Sequence, residues 1–313
     1  MENSIFETIK NSRYCLIVTH INPDADTISC ALALSSYMDE NKIKHKVFNE
    51  SSDLPSNLDF LPRFDKITDQ VPKFYDLAVF VDCAVEDRVG LEVQKGVKII
   101  NIDHHQSNSF FGNINIVDDS KASTAELLYE VFEKESIPVS KNAAMCLYVG
   151  IYDDSIAFTT PRVDSRTFQI VNKLAQTGID VGYISDNLLR RDSLSRYRIM
   201  PKILDTLQLR FEGKVATVYL ENQWLDETGA KVRECDDVVN MVLNIAVVQL
   251  VCYFRTVNGK VRVSLRSKGD LNVSKIAENF NGGGHKNAAG LTMQTDNIVE
   301  AKKMLLETIQ SCI

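Results

Sequence analysis

No Cys-x-x-Cys pair occurs in the 313 residues, and the seven cysteines, at 15, 30, 83, 146, 235, 252 and 312, are odd in number. A closed thiolate zinc site therefore has no ligands, and no motif supports a catalytic thiol, Cys83 beside Asp82 included. The pattern reads as reduced, mostly buried thiols of a cytoplasmic protein. Positive charge is also short. Lys and Arg number 35 against 42 Asp and Glu, for a net charge of -7. An acidic surface repels long phosphate backbones, which disfavours a processive enzyme on long DNA or RNA. A local basic pocket can still take a small phosphorylated substrate. The longest apolar stretch, residues 238–254, is broken by Asn240, Asn244 and Gln249 and is short for a membrane span. The opening MENSIFETIK lacks the apolar core of a signal peptide. Neither an internal repeat nor a low-complexity tract is found. What is present is an ordinary globular composition, 44% hydrophobic and 25% charged, at a length that suggests two domains.

Histidine is scarce too, with five in all, and four of them (20, 104, 105 and 285) fall in informative places. The apolar run 97–102 leads directly into Asp103, His104 and His105. The run 14–19 leads into His20, then Asp24 and Asp26. The run 76–81 leads into Asp82. These runs read as strands, and alternation with helical patterns at 27–38, 123–135, 142–150 and 164–176 predicts a parallel α/β sheet. Ser123 with Glu126 fits a capping box, Gly178 is a helix stop, and the 142–150 helix delivers Asp153 and Asp154. In an open parallel sheet, the C-terminal strand ends share one rim. Candidate metal ligands are thus His20, Asp24, Asp26, Asp82, His104 and Asp154, with Asp153 as an adjacent alternative. So many carboxylates at one partly buried rim are costly unless cations neutralise them. Mixed imidazole and carboxylate donors suit Mn²⁺ better than Mg²⁺, with Fe²⁺, Zn²⁺ and Co²⁺ left open.

The second half reads as a smaller mixed α/β domain. Asn258-Gly259 is a strong hairpin signal between strands at 247–256 and 260–265, with helices at 273–280 and 298–309. Residues 186–205, locally basic, read as a connector. Gly282, Gly283 and Gly284 precede His285; without side chains, their N–H groups can approach a phosphate closely. Arg266 can bind phosphate bidentately, and Arg262, an even number of residues away, shares its strand face.

These motifs carry a family resemblance. His20-Ile21-Asn22-Pro23-Asp24-Ala25-Asp26, Val81-Asp82, Asp103-His104-His105 and the Asp154 region resemble the four ordered motifs of the DHH phosphoesterases. The second half resembles their DHHA1 domain. Within the superfamily the chain looks most like the short NrnA-like nanoRNase and pAp-phosphatase group. The resemblance implies a catalytic metal-binding domain at 1–187, a linker at 188–208 and a substrate-binding domain at 209–313. It implies two divalent metals, one on His20 and Asp24, the other on Asp26, His104 and Asp154, with Asp82 bridging. Asp103 would orient a ligand histidine and His105 would face the substrate phosphate. Asp82, Asp103, His104 and His105 form the implied catalytic set. Arg262, Arg266, Gly282, Gly283, Gly284 and His285 form the substrate-binding set. Ile156 departs from the pattern, standing where the family often has glycine. The implied activity is metal-dependent hydrolysis of short oligoribonucleotides, of about two to five nucleotides, and of pAp to AMP, by two-metal activation of water. A cyclic- or linear-dinucleotide phosphodiesterase is the close alternative. A catalytically inactive nucleotide-binding regulator is the alternative of another class. Expected partners are short RNA or DNA, pAp or dinucleotides, with no long nucleic acid and no membrane. A homodimer is left open.

Overall fold

The central strands of the N-terminal half grow from short apolar runs, whereas the edge strands are shorter or more polar. The computed structural model describes residues 4–51 and 54–310, and the chain divides into two compact units after Arg191. In the first unit α1 (Ile5–Asn11), β1 (Cys15–Val18), α2 (Ala25–Glu40), β2 (His45–Phe48), β3 (Ile67–Thr68), β4 (Leu77–Val81), β5 (Lys98–Asp103) and β6 (Ile114–Val117) are followed by helices only. These are α3 (Thr124–Lys134), α4 (Lys141–Asp154), α5 (Ser165–Gln176) and α6 (Val181–Leu189). The strands form one sheet in the order β3-β2-β1-β4-β5-β6, with every pairing parallel.

Alternation along β4 sets the two faces. Leu77, Val79 and Val81 join a core with α1 to α6. Ala78 and Phe80 face a second cluster built with Tyr75, Val89 and Phe111, where loops and the short 3₁₀ helix Glu86–Val89 give the cover. Helix α2 is buried along nearly its whole length. Its small residues let α4 pack closely against it, because an apolar-all-round helix is stable only inside. Ser123 caps α3 by accepting from the Glu126 N–H at 3.0 Å. Glu126 does not close the box: its carboxylate accepts from Ala122 N–H at 3.1 Å and from the Thr167 hydroxyl, which ties α3 to α5. Gly178, at φ +83°, follows the end of α5.

The second unit comprises α7 (Leu194–Leu204), β7 (Gln208–Arg210), β8 (Val215–Leu220), α8 (Asn222–Thr228), α9 (Val238–Leu243), β9 (Leu250–Val257), β10 (Lys260–Ser267), α10 (Val273–Glu278), β11 (Gly283–His285), β12 (Ala288–Met293) and α11 (Ile298–Gln310). Its sheet runs β11-β12-β10-β9-β8-β7. It is mixed: β8 and β9 are parallel and the other pairs antiparallel. Asn258 and Gly259 both have positive φ, as a tight β9–β10 hairpin requires. One face carries a core closed by α10 and α11. On the other, α7, α9 and the stretch before α9 cover β8 and β9. Residues 188–208 hold the end of α6 and all of α7, whose Ile199, Met200 and Ile203 are buried in that second core. Among the described residues no helix is long and apolar enough to cross a membrane. Six cysteines are free and buried; Cys312 lies outside the described residues.

Candidate metal centre

Strand order reverses between β1 and β4, which pair although about sixty residues separate them. At such a switch point the connections leave in opposite directions and open a crevice at the carboxyl ends of the strands. The chain places its acidic and imidazole side chains there. His20 follows β1, Asp24 caps α2 by accepting from Thr27 N–H at 3.0 Å, and Asp26 lies in the first turn of α2. Asp82 follows β4 with φ +58°. That left-handed conformation is unusual without glycine but tolerated by Asp.

Neighbours fix each carboxylate. Asp82 accepts from the hydroxyls of Thr27 at 2.6 Å and Thr124 at 2.8 Å, one on each oxygen. Asp26 accepts from the N–H groups of Thr124 at 2.7 Å and Ala125 at 3.0 Å, at the amino end of α3. The two threonines carry no sequence signal beyond their position near helix starts.

The histidines are set by their other ring nitrogen. His20 Nδ1 lies 2.9 Å from the Ile21 carbonyl, so it carries the hydrogen, and Nε2 turns toward Asp24 and Asp82, 3.8 Å from each. His104 Nδ1 lies 3.3 Å from the Lys121 carbonyl; its Nε2 is 3.4 Å from Asp154 and 3.8 Å from Asp82. Burial, then the charge on His105, pushes His104 down to about 4, so its Nε2 presents a lone pair. Asp103 does not orient His104. It accepts from His105 Nδ1 at 2.7 Å and from Asn108 at 2.6 Å. Residues two apart leaving a strand return to the same side, which brings His105 rather than His104 to Asp103. That hydrogen bond lifts His105 to about 9 and makes it a cation.

Three overlapping groups result, each with one donor atom per residue and all donors within 4.8 Å: His20, Asp24 and Asp82; Asp26, His104 and Asp154; and Asp82, His104 and His105. The Nε2 lone pair of His104 thus faces the carboxylates of Asp82 and Asp154. Burial and then the neighbouring carboxylates push Asp82 up to about 6 and Asp154 to about 7, and raise Asp26 strongly. A divalent cation relieves both features, and an all-nitrogen-and-oxygen donor set fits one. Asp153 is exposed and belongs to none of these groups among the described residues.

In the second unit, Arg266 and His285 both pair with Ala288, from opposite sides of β12. Paired residues project to one face, so Arg266 and His285 share a face on either side of Ala288. Arg262 shares that face, as alternating burial along β10 shows. The half-buried Arg266 guanidinium donates to the Leu265 carbonyl at 3.1 Å and makes no ion pair among the described residues. Arg255, which carried no signal in the sequence, projects beside Arg262 and pairs with Asp236 at 3.2 Å. The glycine segment is not a loop. Gly283 to His285 is an edge strand, and only Gly284 within it has a positive φ.

The family model for the N-terminal domain of the DHH family matches residues 15–151, and the model for the DHHA1 domain matches residues 212–312. A Thermus thermophilus protein named bifunctional oligoribonuclease and PAP phosphatase NrnA is 30% identical, with 94% of this chain and 88% of the relative aligned. The chain belongs to the DHH phosphoesterase family. A Bacillus subtilis protein of the same name is 25% identical over 99% of this chain and 98% of its own. The crystal structure of an exopolyphosphatase-related protein from Bacteroides fragilis superposes with a TM-score of 0.90 at 25% identity, covering 98% of this chain and 94% of that one.

Two local features adapt the DHH fold in this chain. After Asp154, the non-glycine residues Ile156, Ala157 and Phe158 all have φ between 50° and 65°. Ile156 therefore keeps the left-handed backbone that glycine favours, held by Ala157 N–H on the Tyr152 carbonyl at 2.8 Å and Phe158 N–H on Ser155 Oγ at 3.0 Å. Gly150 of α4 lies against the site from behind. A Cβ there would meet Ala125 Cβ at 2.7 Å and Asp26 Oδ1 at 2.8 Å. Gly150→Ala is expected to cost about 1–3 kcal/mol of stability by overpacking and to displace Asp26, so thermal unfolding and Mn²⁺ titration should both show a loss. Wild-type values in both would remove Gly150 from the support of Asp26.

Proposed function

We propose that this DHH phosphoesterase acts in the cytoplasm, degrades short oligoribonucleotides to mononucleotides and converts pAp to AMP. The observation that carries the reading is that Asp82 groups with His20 and Asp24 on one side and with His104 on the other, while His104 also groups with Asp26 and Asp154, at the sheet switch point. The relatives' names support the substrate class. His20 and Asp24 would hold one divalent cation and Asp26, His104 and Asp154 another, with Asp82 common to both and Mn²⁺ the best match to the donors. Bound cations would supply charge neutralisation and water activation for attack on phosphorus. The chain's own residues do the rest. Asp103 keeps His105 cationic, so His105 donates to a phosphoryl oxygen as negative charge grows there. The hydroxyls of Thr27 and Thr124 hold Asp82 in place through turnover. Arg266 and His285 bind the substrate's terminal phosphate.

Product formation from 5′-phosphorylated RNA of several lengths, pAp, cyclic di-AMP and pyrophosphate tests the proposal. Mononucleotides should appear fastest from the shortest RNAs, with AMP from pAp. Preferred cleavage of cyclic di-AMP would overturn the substrate assignment. Arg266→Ala is expected to raise KM for phosphorylated dinucleotides about 10–100-fold, the worth of a charged hydrogen bond, with a smaller change in kcat. An unchanged KM would count against that contact.

A further inference from the structure

Strand β5 buries an asparagine among isoleucines. Ile100 and Ile102 join the core under the helices, while Ile99 packs against the cluster on the opposite face. Asn101 and Asp103 share that opposite face by the period of two. Asn101 is fully buried, and a buried amide needs a hydrogen-bond partner for each end. Its Nδ2 donates to the carbonyl of Cys83, the residue after Asp82, at 3.0 Å. Its Oδ1 accepts from Asn108 Nδ2 at 2.8 Å. The same Asn108 nitrogen donates to Asp103 Oδ2 at 2.6 Å. The direction of each amide is fixed by its other end. Asn108 Oδ1 accepts from the Phe110 N–H at 2.7 Å, which turns its two hydrogens toward Asn101 and Asp103. The Cys83 carbonyl can only accept, so Asn101 presents its oxygen to Asn108. Asp103 is therefore held through both oxygens, Oδ2 by Asn108 and Oδ1 by His105 Nδ1 at 2.7 Å. A carboxylate rotates broadly about its last bond when held on one oxygen, and two partners leave it one setting. His105 Nδ1 also lies 3.5 Å from Asp82 Oδ1, so that setting fixes the ring against the crevice.

We propose that Asn108 is a positioning residue for the hydrolysis: it locks the Asp103 carboxylate, and through it the His105 ring, while Asn101 locks Asn108. The inference rests on the reading of His105 as the donor to a phosphoryl oxygen. Neither amide bonds the side chain of a proposed cation ligand; their partners are Cys83, Asp103, Phe110 and each other. The lock therefore acts on the donor and leaves cation binding alone. A donor held in place before the charge develops needs no reorganisation in the transition state, so the effect falls on kcat.

Kinetics and a proton resonance of the full chain test the lock separately. Asn108→Ala should lower kcat on short phosphorylated RNA about 10–100-fold, the loss of one hydrogen bond to a charged group, with KM and Mn²⁺ affinity unchanged. Asn101→Ala keeps the bond from Asn108 to Asp103 but frees the amide to turn, so its kcat should fall less. It decides the matter if Asn108→Ala melts as an unfolded chain. The second readout is the His105 Nδ1 proton in ¹⁵N-histidine-labelled protein in EDTA. A short bond to a carboxylate should place it far downfield in wild type. It should vanish in His105→Gln and move upfield or disappear in Asn108→Ala. Wild-type kcat in both asparagine variants would overturn the proposal. So would a resonance that stays in place while kcat falls, or a parallel loss of Mn²⁺ affinity, which is the behaviour of general structural support. A resonance that responds to Asn108→Ala in a chain that hydrolyses nothing in Mn²⁺ would instead sink the hydrolase reading and leave the lock standing.

Discussion

Asp82→Asn should lower kcat on short phosphorylated RNA by about three orders of magnitude while raising the melting temperature of the metal-free protein. The two effects have one cause. Asp82 is common to two of the donor groups, buried, and aimed by a left-handed turn into the crevice. Removing its charge removes several kcal/mol of cation binding and of the transition-state stabilisation that depends on it. The same substitution removes the nearest of the charges that, after burial, raise Asp26 and Asp154. Asparagine keeps the shape, tolerates the left-handed backbone and can still bond Thr27 and Thr124. Steady-state kinetics with Mn²⁺ and a thermal melt in EDTA report the two arms. Turnover within a few-fold of wild type would end the assignment of Asp82 as the shared ligand. A lowered melting temperature would show that the carboxylates are not mutually strained.

In EDTA the melting temperature should fall by on the order of 5–10 °C between pH 6 and pH 8.5, and Mn²⁺ should reverse the trend. Asp154 is raised to about 7, whereas an unfolded aspartate titrates near 4. The folded state therefore keeps a proton that the unfolded state has lost, and this stabilisation disappears as pH climbs through 7. His105 is raised to about 9 from an ordinary 6.5, so its contribution fades across the same window as pH approaches 9. His104 is lowered to about 4, and its opposing contribution is confined below its ordinary 6.5. Asp82, at about 6, has lost most of its contribution by pH 6.5 and adds at the acid edge. Cation binding needs the deprotonated ligands, so Mn²⁺ should stabilise most at pH 8.5. A flat profile in EDTA, or no effect of Mn²⁺ at pH 8.5, would remove the buried-carboxylate account.

Much of this was written locally in the chain. The apolar runs before His20, Asp82 and Asp103 became β1, β4 and β5 because their flanks break any helix period and their residues suit a doubly buried strand. Asn258-Gly259 closed a hairpin because positive φ is cheap for those two residues. Arg262 and Arg266 shared a face because a strand has a period of two. Other features depended on partners far along the chain. Only the order β3-β2-β1-β4-β5-β6 sets His20 beside Asp82. Only the approach of α2 and α3 lets Thr27 and Thr124 clamp Asp82. Asp103 turned to His105 while a Lys121 carbonyl took His104, a choice set by how the chain returns after β6. The glycine segment, flexible by composition, became an edge strand because β12 offered it a register that puts His285 and Arg266 on either side of Ala288. Propensity and period act over a few residues, so the sequence determined which segments carry the chemistry. Register, strand order and hydrogen-bond partners are settled by non-local packing, and only the tertiary structure decided which side chains meet.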